Sequence, residues 1–303
     1  AFGLFSAEEI VSASGTSIPA NGLIEIVSLN EDGTATIKTD LPYGRYYVQE
    51  IATDSHYKLS DAKYPIIFEY VGQDTAVVKI AVNDGKAIKN DLIYGSVSGK
   101  KVDEDGNALG GAMIGLFRTD DGEFTKENAL VTTTSAEDGS FSFENIPCGT
   151  WYVREIEQPT GFVLDDTVYP VTIGTDGQVV EIEIVNEYGR GNIHLTKVDS
   201  EYPDNKLTRA IFEVYKDSNN NGKLDDSDEL LGTLTEKETG EYGMNDLFYG
   251  RYFIKETKAP DGFVLDTDVY EVVIDTDGKT YDVENKAGVG FINEVMRGNL
   301  KIV

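Results

Sequence analysis

The chain has 303 residues, 40% of them hydrophobic, which is enough apolar sequence for two or three modest cores. Its 54 acidic residues against 26 lysines and arginines give a formal net charge of −28, which argues against nucleic acid or an anionic membrane surface as a partner. A single cysteine excludes an internal disulfide framework. Because it shows no apolar run of membrane-spanning length and no signal peptide, the sequence is predicted to be a mature or excised soluble piece.

In chain order, the first predicted element is a strand at residues 1–5, which matches residues 113–117 further along. Another strand ends at Glu50, and a weaker one, residues 88–90, ends at Asn90. Side chains alternate along a strand, so both polar residues are predicted to point inward with the apolar residues before them. A polar group that points into an apolar core needs a hydrogen-bond or ion-pair partner there.

The next strand opens at Gly95 and carries Lys101 six positions later. Alternation places Val97, Gly99 and Lys101 on one face, so this lysine is predicted to be buried. Lys100 is its direct neighbour, and a register slipped by one residue would turn Lys100 inward instead. The sequence therefore predicts one buried lysine and leaves this alternative open.

Two further strands complete this second segment of the chain. Glu155 shares a strand face with Val153, and Asn186 shares one with Ile184. Both polar side chains are therefore predicted to point into the same core as Lys101.

The third segment repeats the same three residues in the same order. Lys197 stands six positions after Gly191, and Glu256 ends a strand that resembles the one ending at Glu155. Asn293 ends the last predicted strand of this segment. A second inward-facing set of lysine, glutamate and asparagine is therefore predicted here.

An insertion in the third segment, residues 217–228, has oxygen-bearing side chains at positions 1, 3, 5, 9 and 12 and Gly222 at position 6. This spacing is typical of a calcium loop, in which hard oxygen ligands surround Ca²⁺ and the glycine permits a sharp turn. The last position is aspartate where the standard loop has glutamate, and two ligands are neutral, so weak binding is expected. A solvated acidic hairpin is the alternative. The predicted ligands are Asp217, Asn219, Asn221, the Lys223 carbonyl, Asp225 and Asp228.

The marker glycine recurs at Gly95, Gly191 and Gly298, so each step is predicted to be one domain. Short alternating strands and Asp-Gly sequences, interpreted as hairpin turns at residues 137–139 and 275–278, indicate all-β sandwiches. The linkers are very short, which predicts an elongated, semi-rigid rod. The predicted boundaries are 1–94, 95–190 and 191–297, followed by 298–303 as the start of a further lysine strand.

A lysine, a glutamate and an asparagine that face one core must pair, neutralise or react, because burying an uncompensated charge is costly. Desolvation lowers the lysine pKa and raises the glutamate pKa, so a neutral amine and a protonated carboxylic acid can lie beside the carboxamide. The amine then attacks, while the glutamate hydrogen-bonds the asparagine carbonyl and passes a proton to the leaving ammonia. The predicted product is a Lys–Asn isopeptide bond. A buried salt bridge without covalent chemistry is the alternative.

These motifs resemble the Cna-B, or SpaA-type, isopeptide-forming domains of Gram-positive surface adhesins and pilins. Residues 191–199, 249–263 and 292–294 carry the resemblance, which extends over nearly the whole chain. It implies three tandem immunoglobulin-like, transthyretin-like β-sandwich domains. The bonds that it implies are Lys197 to Asn293 with Glu256 assisting, and Lys101 to Asn186 with Glu155 assisting.

The first segment departs from the pattern, because no lysine strand precedes residues 1–5. Glu50 and Asn90 therefore have no lysine at the motif position within this sequence. Residues 298–303 in turn begin a lysine strand but stop before its lysine. Two explanations are open: a piece cut from a longer tandem array, and strand donation, in which residues 298–303 of one copy complete the first domain of another.

The expected function is a structural stalk segment of an adhesin or pilus-like protein, extracellular and on the cell wall of a Gram-positive bacterium. Isopeptide formation turns over once, so the chain is not expected to be an enzyme, and Ca²⁺ is the one cofactor expected. Two alternatives stay open: an adhesive module that binds a host protein or glycan, and a β-sandwich spacer of a secreted hydrolase. Cys148 is expected to be a turn residue rather than a nucleophile.

Overall fold

The structure, a computed structural model, describes residues 1–11, 15–75, 78–120 and 122–301. These residues form β-strands joined by turns and loops, with one short 3₁₀ helix at Val82–Gly85, so the predicted all-β class is confirmed. Within these ranges no helix is long and apolar enough to span a membrane. Two compact units are formed, one by described residues within 1–98, 142–152 and 170–181, the other by those within 99–141, 153–169 and 182–303.

The described residues of the first repeat, 1–94, contain six strands. Four form an antiparallel sheet in the order β4-β1-β5-β6, and β2 pairs with β3. Pro65 lies in β6, an edge strand, where its missing N–H leaves no ladder hydrogen bond unmade. The strands are β1 Phe2–Ser6, β2 Ile10–Val11, β3 Ser17–Ile18, β4 Leu23–Val27, β5 Gly44–Glu50 and β6 Lys63–Phe68.

The second repeat, residues 95–190 without the undescribed position 121, contains seven strands in two sheets. One sheet has the order β10-β7-β13 and the other has the order β12-β11-β8-β9. Its strands are β7 Tyr94–Asp103, β8 Met113–Phe117, β9 Val131–Thr134, β10 Ser140–Pro147, β11 Gly149–Glu157, β12 Tyr169–Ile173 and β13 Val179–Asn186.

The third repeat, residues 191–297, also has two sheets. They have the orders β17-β18-β14-β21 and β16-β15-β19-β20, and β22 also pairs with β14. Both β21 and β22 run parallel to β14. The strands are β14 Arg190–Asp199, β15 Ile211–Lys216, β16 Glu229–Thr233, β17 Thr235–Glu238, β18 Glu241–Phe248, β19 Gly250–Lys258, β20 Val269–Ile274, β21 Thr280–Asp282 and β22 Phe291–Asn293.

One four-stranded sheet is common to all three repeats, with β4-β1-β5-β6 corresponding to β9-β8-β11-β12 and to β16-β15-β19-β20. Its inner strands β5, β11 and β19 carry Glu50, Glu155 and Glu256. The lysine strands β7 and β14 are inner strands of the second sheet, with hydrogen-bonded neighbours on both sides. Among the described residues of the first repeat, no strand takes this place and the second sheet is missing.

Along the lysine strands, successive side chains point to opposite faces of the sheet, as their sequences predict. Ile193, Leu195 and Lys197 are buried on one face of β14. On β7, Lys101 is buried and Lys100 is exposed, so the alternative of a slipped register is wrong. A slip by one residue would turn the buried apolar side chains of each strand towards the opposite face, which explains why both registers are strongly fixed.

Two local expectations from the sequence are not met. Residues 88–90 form no strand, and the described part of the first repeat has no lysine strand for them to pair with, as β13 pairs with β7. Residues 298–301 are irregular and Leu300 is exposed, while residues 302–303 lie outside the described part of the chain, so the start of a further lysine strand stays a prediction. The turns at 137–139 and 275–278 exist, but each joins strands of different sheets, because an Asp-Gly turn sets local backbone geometry and not the sheet that follows.

Candidate isopeptide sites

In the third repeat, one glutamate lies between the lysine and the asparagine. Lys197 on β14, Glu256 on β19 and Asn293 on β22 are all buried, with exposed fractions of 0%, 0% and 2%. Lys197 Nζ lies 3.4 Å from Glu256 Oε1, and Asn293 Nδ2 donates a 2.9 Å hydrogen bond to Glu256 Oε2. The two oxygens of one carboxyl group therefore contact the amine and the carboxamide separately.

The second repeat has the same arrangement. Lys101 Nζ lies 4.0 Å from Glu155 Oε1, and Asn186 Nδ2 donates a 2.6 Å hydrogen bond to Glu155 Oε2. All three residues are buried. Lys101 Nζ also donates to the backbone carbonyl oxygens of Ile184 at 3.1 Å and Val102 at 3.3 Å, which holds the amine against the strand that carries Asn186.

Burial changes the protonation of these groups. It lowers the pKa of Lys197 to about 8, against the opposing influence of Glu256, and it also lowers the pKa of Lys101. Burial raises the pKa of Glu155, although the hydrogen bond from Asn186 acts in the other direction. The physical cause is that a low-dielectric surrounding disfavours the charged form of each group. These shifts favour the neutral amine and neutral carboxylic acid that amide exchange requires.

Unpaired polar atoms are concentrated at the two sites. A buried polar atom without a hydrogen-bond partner costs about 1–3 kcal/mol, so such atoms are rare unless they have a role. In amide exchange, the amine nitrogen and the glutamate oxygen exchange a proton, and the asparagine oxygen carries the developing negative charge. Among the described residues, the unpaired atoms at the two sites are Glu155 Oε1, Asn186 Oδ1, Lys197 Nζ, Glu256 Oε1 and Asn293 Oδ1, and the one outside them is Arg154 Nε.

The orientation of the asparagine differs from the expectation that glutamate would bond its carbonyl oxygen. Asn186 Nδ2 faces Glu155 Oε2 and also donates to the carbonyl oxygen of Val163 at 2.5 Å. Two acceptors on that side favour the nitrogen there. The glutamate therefore contacts the nitrogen that would leave as ammonia, and not the carbonyl oxygen.

An aspartate and a tyrosine at each site were not predicted from the sequence. The backbone N–H of Asp165 donates to Glu155 Oε2 at 2.8 Å, and that of Asp266 donates to Glu256 Oε2 at 2.9 Å. Each aspartate accepts a 2.7 Å hydrogen bond from a tyrosine hydroxyl, that of Tyr169 or Tyr270. The signal was present, because Asp ten positions after Glu and Tyr four positions later recur in both repeats.

The first repeat contains two of the three site residues. Glu50 is buried, and Asn90 Nδ2 donates to its Oε1 at 2.8 Å and to its Oε2 at 3.0 Å. Glu50 Oε2 also accepts the backbone N–H of Ser60 at 3.0 Å, the counterpart of the contact made by Asp165. Within the described chain, no lysine lies in ion-pair contact with Glu50.

The predicted calcium loop is held together by its own hydrogen bonds. The buried Asp217 accepts the backbone N–H groups of Asn221 at 3.1 Å and Gly222 at 3.0 Å. Asn219 and Asn221 donate their amides to Asp225, and Asp228 accepts the N–H of Ser218, while Lys223 donates its N–H to Asn221 Oδ1. Arg251 Nε lies 3.8 Å from Asp217 Oδ2 and competes with a cation for it. Across the described ranges, no three His, Cys, Asp or Glu side chains converge as a metal site, so Ca²⁺ stays a prediction.

A family model places the chain in a known class. The model for SpaA, a prealbumin-like fold domain, matches residues 8–86, 95–188 and 191–287. These segments make up most of the chain, which therefore belongs to the SpaA family of prealbumin-like domains. Prealbumin is transthyretin, so the predicted fold of three tandem transthyretin-like sandwiches is confirmed, while the predicted domain boundaries stay predictions.

Individual relatives are distant. Colossin-A of Dictyostelium discoideum is 25% identical over 304 residues, covering 89% of this chain and 2% of that protein. Serine-aspartate repeat-containing protein D of Staphylococcus aureus (strain Newman) is 27% identical over 183 residues, covering 54% of this chain and 12% of that protein. The solved structure of the Bacillus anthracis TIE protein matches with a TM-score of 0.63 at 23% identity, covering 97% of this chain and 47% of that one. The chain thus spans a small part of these curated relatives, and the structural likeness concerns the fold.

Proposed function

We propose that the chain is a structural stalk segment whose second and third repeats are each closed by a Lys–Asn isopeptide bond. The observation that carries the proposal is the carboxyl group of Glu256, which contacts Lys197 with one oxygen and Asn293 with the other. A structural ion pair would explain a buried lysine beside a glutamate. It would not explain why a carboxamide is held on the same carboxyl group in both repeats, with its carbonyl oxygen unpaired.

The reaction that we propose is an amide exchange. The neutral Lys197 Nζ attacks Asn293 Cγ, forming the new C–N bond, and the Cγ–Nδ2 bond breaks. Glu256 accepts the proton that the amine gives up and delivers one to Nδ2, which leaves as ammonia. Atoms and charge balance without an oxidant or cofactor, and the glutamate returns to its starting state. Because the product is the protein itself, the chain reacts once and is not an enzyme.

The bond would take tension off the domain. β14 and β22 are adjacent and parallel, with Lys197 opposite Phe291 and Asp199 opposite Asn293. A pull on the two ends of the repeat enters at the start of β14 and leaves after β22, so it shears this strand pair. A bond from Lys197 to Asn293 passes the load directly between the strands, and residues 198–292 carry none of it. Closing a loop of this length also stabilises the fold by about 4.5 kcal/mol, by analogy with disulfides.

The junction between the second and third repeats supports a stalk. Arg190 forms an ion pair with Glu104 of the second repeat, and its guanidinium lies 5.1 Å from the ring centroid of Phe248 in the third. Tyr188 donates its hydroxyl to Asp103 at 2.7 Å, while its ring contacts Phe248. A linker held by contacts to both neighbours resists bending more than a solvated one.

We place this stalk outside the cell, on the wall of a Gram-positive bacterium, as a segment of an adhesin or pilus-like protein. Support comes from its family and from similarity to proteins of Staphylococcus and Bacillus. A chain with one cysteine cannot form an internal disulfide bond, whereas isopeptide bonds would cross-link it without an oxidant. The alternatives, an adhesive module for a host protein or glycan and a spacer in a secreted hydrolase, use the same fold. Donation of residues 298–303 to another copy stays a prediction.

We also propose weak Ca²⁺ binding at residues 217–228. Asp217, Asn219, Asn221, Asp225 and Asp228 would supply side-chain oxygens and Lys223 a carbonyl, and a bound cation would add positive charge to a strongly acidic loop. The supporting observation is that Asp217 is buried and anchored by two backbone N–H groups, so its carboxylate is already oriented at the start of the loop.

The first test of the isopeptide bonds is the accurate intact mass of the purified chain. We expect a deficit of two ammonia molecules from the mass calculated for the sequence. Glu256→Gln and Glu155→Gln should each restore one ammonia, because glutamine keeps the shape but cannot accept and return the proton. Glu157→Gln, an exposed neighbour, is the matched control and should keep the full deficit. A wild-type mass without any deficit would leave two buried ion pairs and refute the proposal.

A further inference from the structure

We propose that Asn285 is a positioning residue of the third repeat, which holds the carboxamide of Asn293 against Glu256 through Asp266 and the backbone of Ile292. The inference rests on the proposed function, because such positioning matters only if the two groups react. It assigns a role to a residue of the irregular segment 283–290, between β21 and β22, that no step of the proposed reaction uses.

The strand that carries Asn293 is short and has an open edge. β22 consists of three residues, Phe291–Asn293, and among the described strands it pairs with β14 alone. In the second repeat, by contrast, Asn186 ends β13, which has eight residues and pairs with β7. Because a ladder of three residues fixes a strand only weakly, Asn293 needs further contacts to stay in place.

Asn285 takes the position of a neighbouring strand at that open edge. Its Oδ1 accepts the backbone N–H of Ile292 at 2.6 Å, and its Nδ2 donates to the carbonyl oxygen of Ile292 at 2.9 Å. A residue inside a sheet receives the same two hydrogen bonds from the backbone of the next strand. Since Ile292 directly precedes Asn293, one side-chain amide fixes the backbone from which the reacting carboxamide projects.

The same amide is also connected to the glutamate. Asn285 Nδ2 donates to Asp266 Oδ2 at 2.8 Å, and the backbone N–H of Asp266 donates to Glu256 Oε2 at 2.9 Å. Glu256 Oε2 in turn accepts the 2.9 Å hydrogen bond from Asn293 Nδ2. The contacts therefore close a ring that runs from Glu256 through Asp266, Asn285 and Ile292 to Asn293 and back. A closed ring fixes the placement of the carboxamide relative to the carboxyl group that would exchange protons with it.

The ionisation of Asp266 determines how the amide of Asn285 is oriented. Burial raises the pKa of the Asp266 carboxyl group, but hydrogen bonds, first of all that from Asn285 and then that from Tyr270, lower it more, so the pKa lies below its ordinary value. An ionised carboxylate can only accept hydrogen bonds, so Asn285 must turn its nitrogen towards Asp266. Its oxygen is then left to accept the N–H of Ile292, and every contact of the amide agrees with one orientation.

The second repeat restrains its asparagine more directly. Asn186 Nδ2 donates to the carbonyl oxygen of Val163 as well as to the glutamate. Among the described residues of the third repeat, Asn293 Nδ2 donates to Glu256 alone. The restraint that Val163 provides in one repeat is provided in the other by Asn285, through the backbone. A change at Asn285 should therefore affect the third repeat and leave the second unaffected.

The test measures how fast the third-repeat bond forms in the newly made full chain. Cell-free synthesis is stopped, samples are denatured at intervals, and proteolysis followed by mass spectrometry quantifies the peptide that joins Lys197 to Asn293. The peptide that joins Lys101 to Asn186 is the internal reference in each sample. We expect Asn285→Ala to slow the third-repeat bond by roughly tenfold or more, since small misplacements of reacting groups slow reactions to this degree. The second-repeat bond should form at the wild-type rate.

Two further comparisons separate positioning from stability. Asn285→Asp should also slow the bond, because a carboxylate cannot donate to Asp266. Adding Asp266→Asn to that variant should restore much of the rate, because the amide at position 266 can then donate to the carboxylate at position 285. Val272→Ala, which removes buried methyl groups from β20, should lower the melting temperature of the third repeat and leave the rate of bond formation unchanged.

Three outcomes would overturn the inference. The first is an Asn285→Ala chain that closes its third repeat at the wild-type rate. The second is a Val272→Ala chain that is slowed as much as Asn285→Ala, since lost stability would then explain both. The third is a double variant no faster than Asn285→Asp, which would show that the link to Asp266 does not position the groups. If the wild-type chain itself yields neither cross-linked peptide, the proposed function is refuted, and this result is recognised before any variant is compared.

Discussion

At the scale of single residues, the two buried lysines are the costliest groups in the fold and the most informative. Each is enclosed by apolar side chains and meets one carboxyl group, with a carboxamide held on the other oxygen of that group. An ion pair removed from water recovers its desolvation cost poorly. The proposed conversion of the amine to an amide would remove the buried charge altogether and with it the cost of desolvating that charge.

The pKa of Lys197 gives a prediction for Asn293→Ala, in which no bond can form. Burial lowers this pKa from 10.5 to about 8 in the folded state, so between these values the unfolded chain binds more protons. The free energy of unfolding should therefore rise as the pH increases from about 8 to 10.5, by roughly 3 kcal/mol across the window. Denaturant unfolding at a series of pH values measures it.

The control for this prediction is the double variant Lys197→Met with Asn293→Ala, which keeps every other titrating group. The rise with pH should be present in the single variant and missing from the double variant. Equal slopes in both would show that Lys197 is protonated in the folded state as it is in the unfolded chain.

At the scale of elements, the lysine strand organises the second sheet. It pairs with neighbours on both sides in the second and third repeats, whereas the described residues of the first repeat include no such strand and residues 88–90 are irregular. A β-strand is stable only when its backbone groups find partners, and an inner strand supplies them on both sides. The element that carries the buried lysine is therefore also the one that holds its layer together.

The loop at residues 217–228 gives a prediction at the same scale. Titration calorimetry should show one Ca²⁺ bound with a dissociation constant of about 10⁻⁴–10⁻³ M, since two ligands are neutral and the last is a short aspartate. Asp225→Asn should weaken binding at least tenfold. Asp226→Asn removes the same charge from the neighbouring exposed position and should have a small effect. An equal loss of Ca²⁺ affinity in the two variants would mean that the acidic loop attracts the cation without a defined site. If the wild-type chain gave no heat of binding, the alternative of a solvated acidic hairpin would be correct.

At the scale of the whole molecule, the proposed cross-links determine how many residues can be extended when the chain is pulled from its ends. Pulled from its ends in a single-molecule experiment, the third repeat should not lengthen, because load passes through Lys197 and Asn293. Glu256→Gln should release residues 198–292 and add roughly 300 Å of contour length. Lys255→Gln, the adjacent position on the other strand face, should add none. A wild-type repeat that extends fully would show that no covalent tie exists.

The sequence by itself determined the fold class, the threefold repeat and which face of each strand is buried, because alternation at period two is a local property that survives any arrangement of the strands. It therefore identified Lys101, Glu155 and Asn186, and their counterparts in the third repeat, as inward-facing. Only the tertiary structure decided how they meet. The contacts of Asp165 and Asp266 are local and their spacing recurs in both repeats, but the structure showed that each supports the glutamate oxygen. That one carboxyl contacts both groups, and that the asparagine turns its nitrogen to the glutamate, depend on contacts between elements distant in sequence. Such contacts leave no periodic mark along the chain, and this is the physical reason that spacing alone could not predict them.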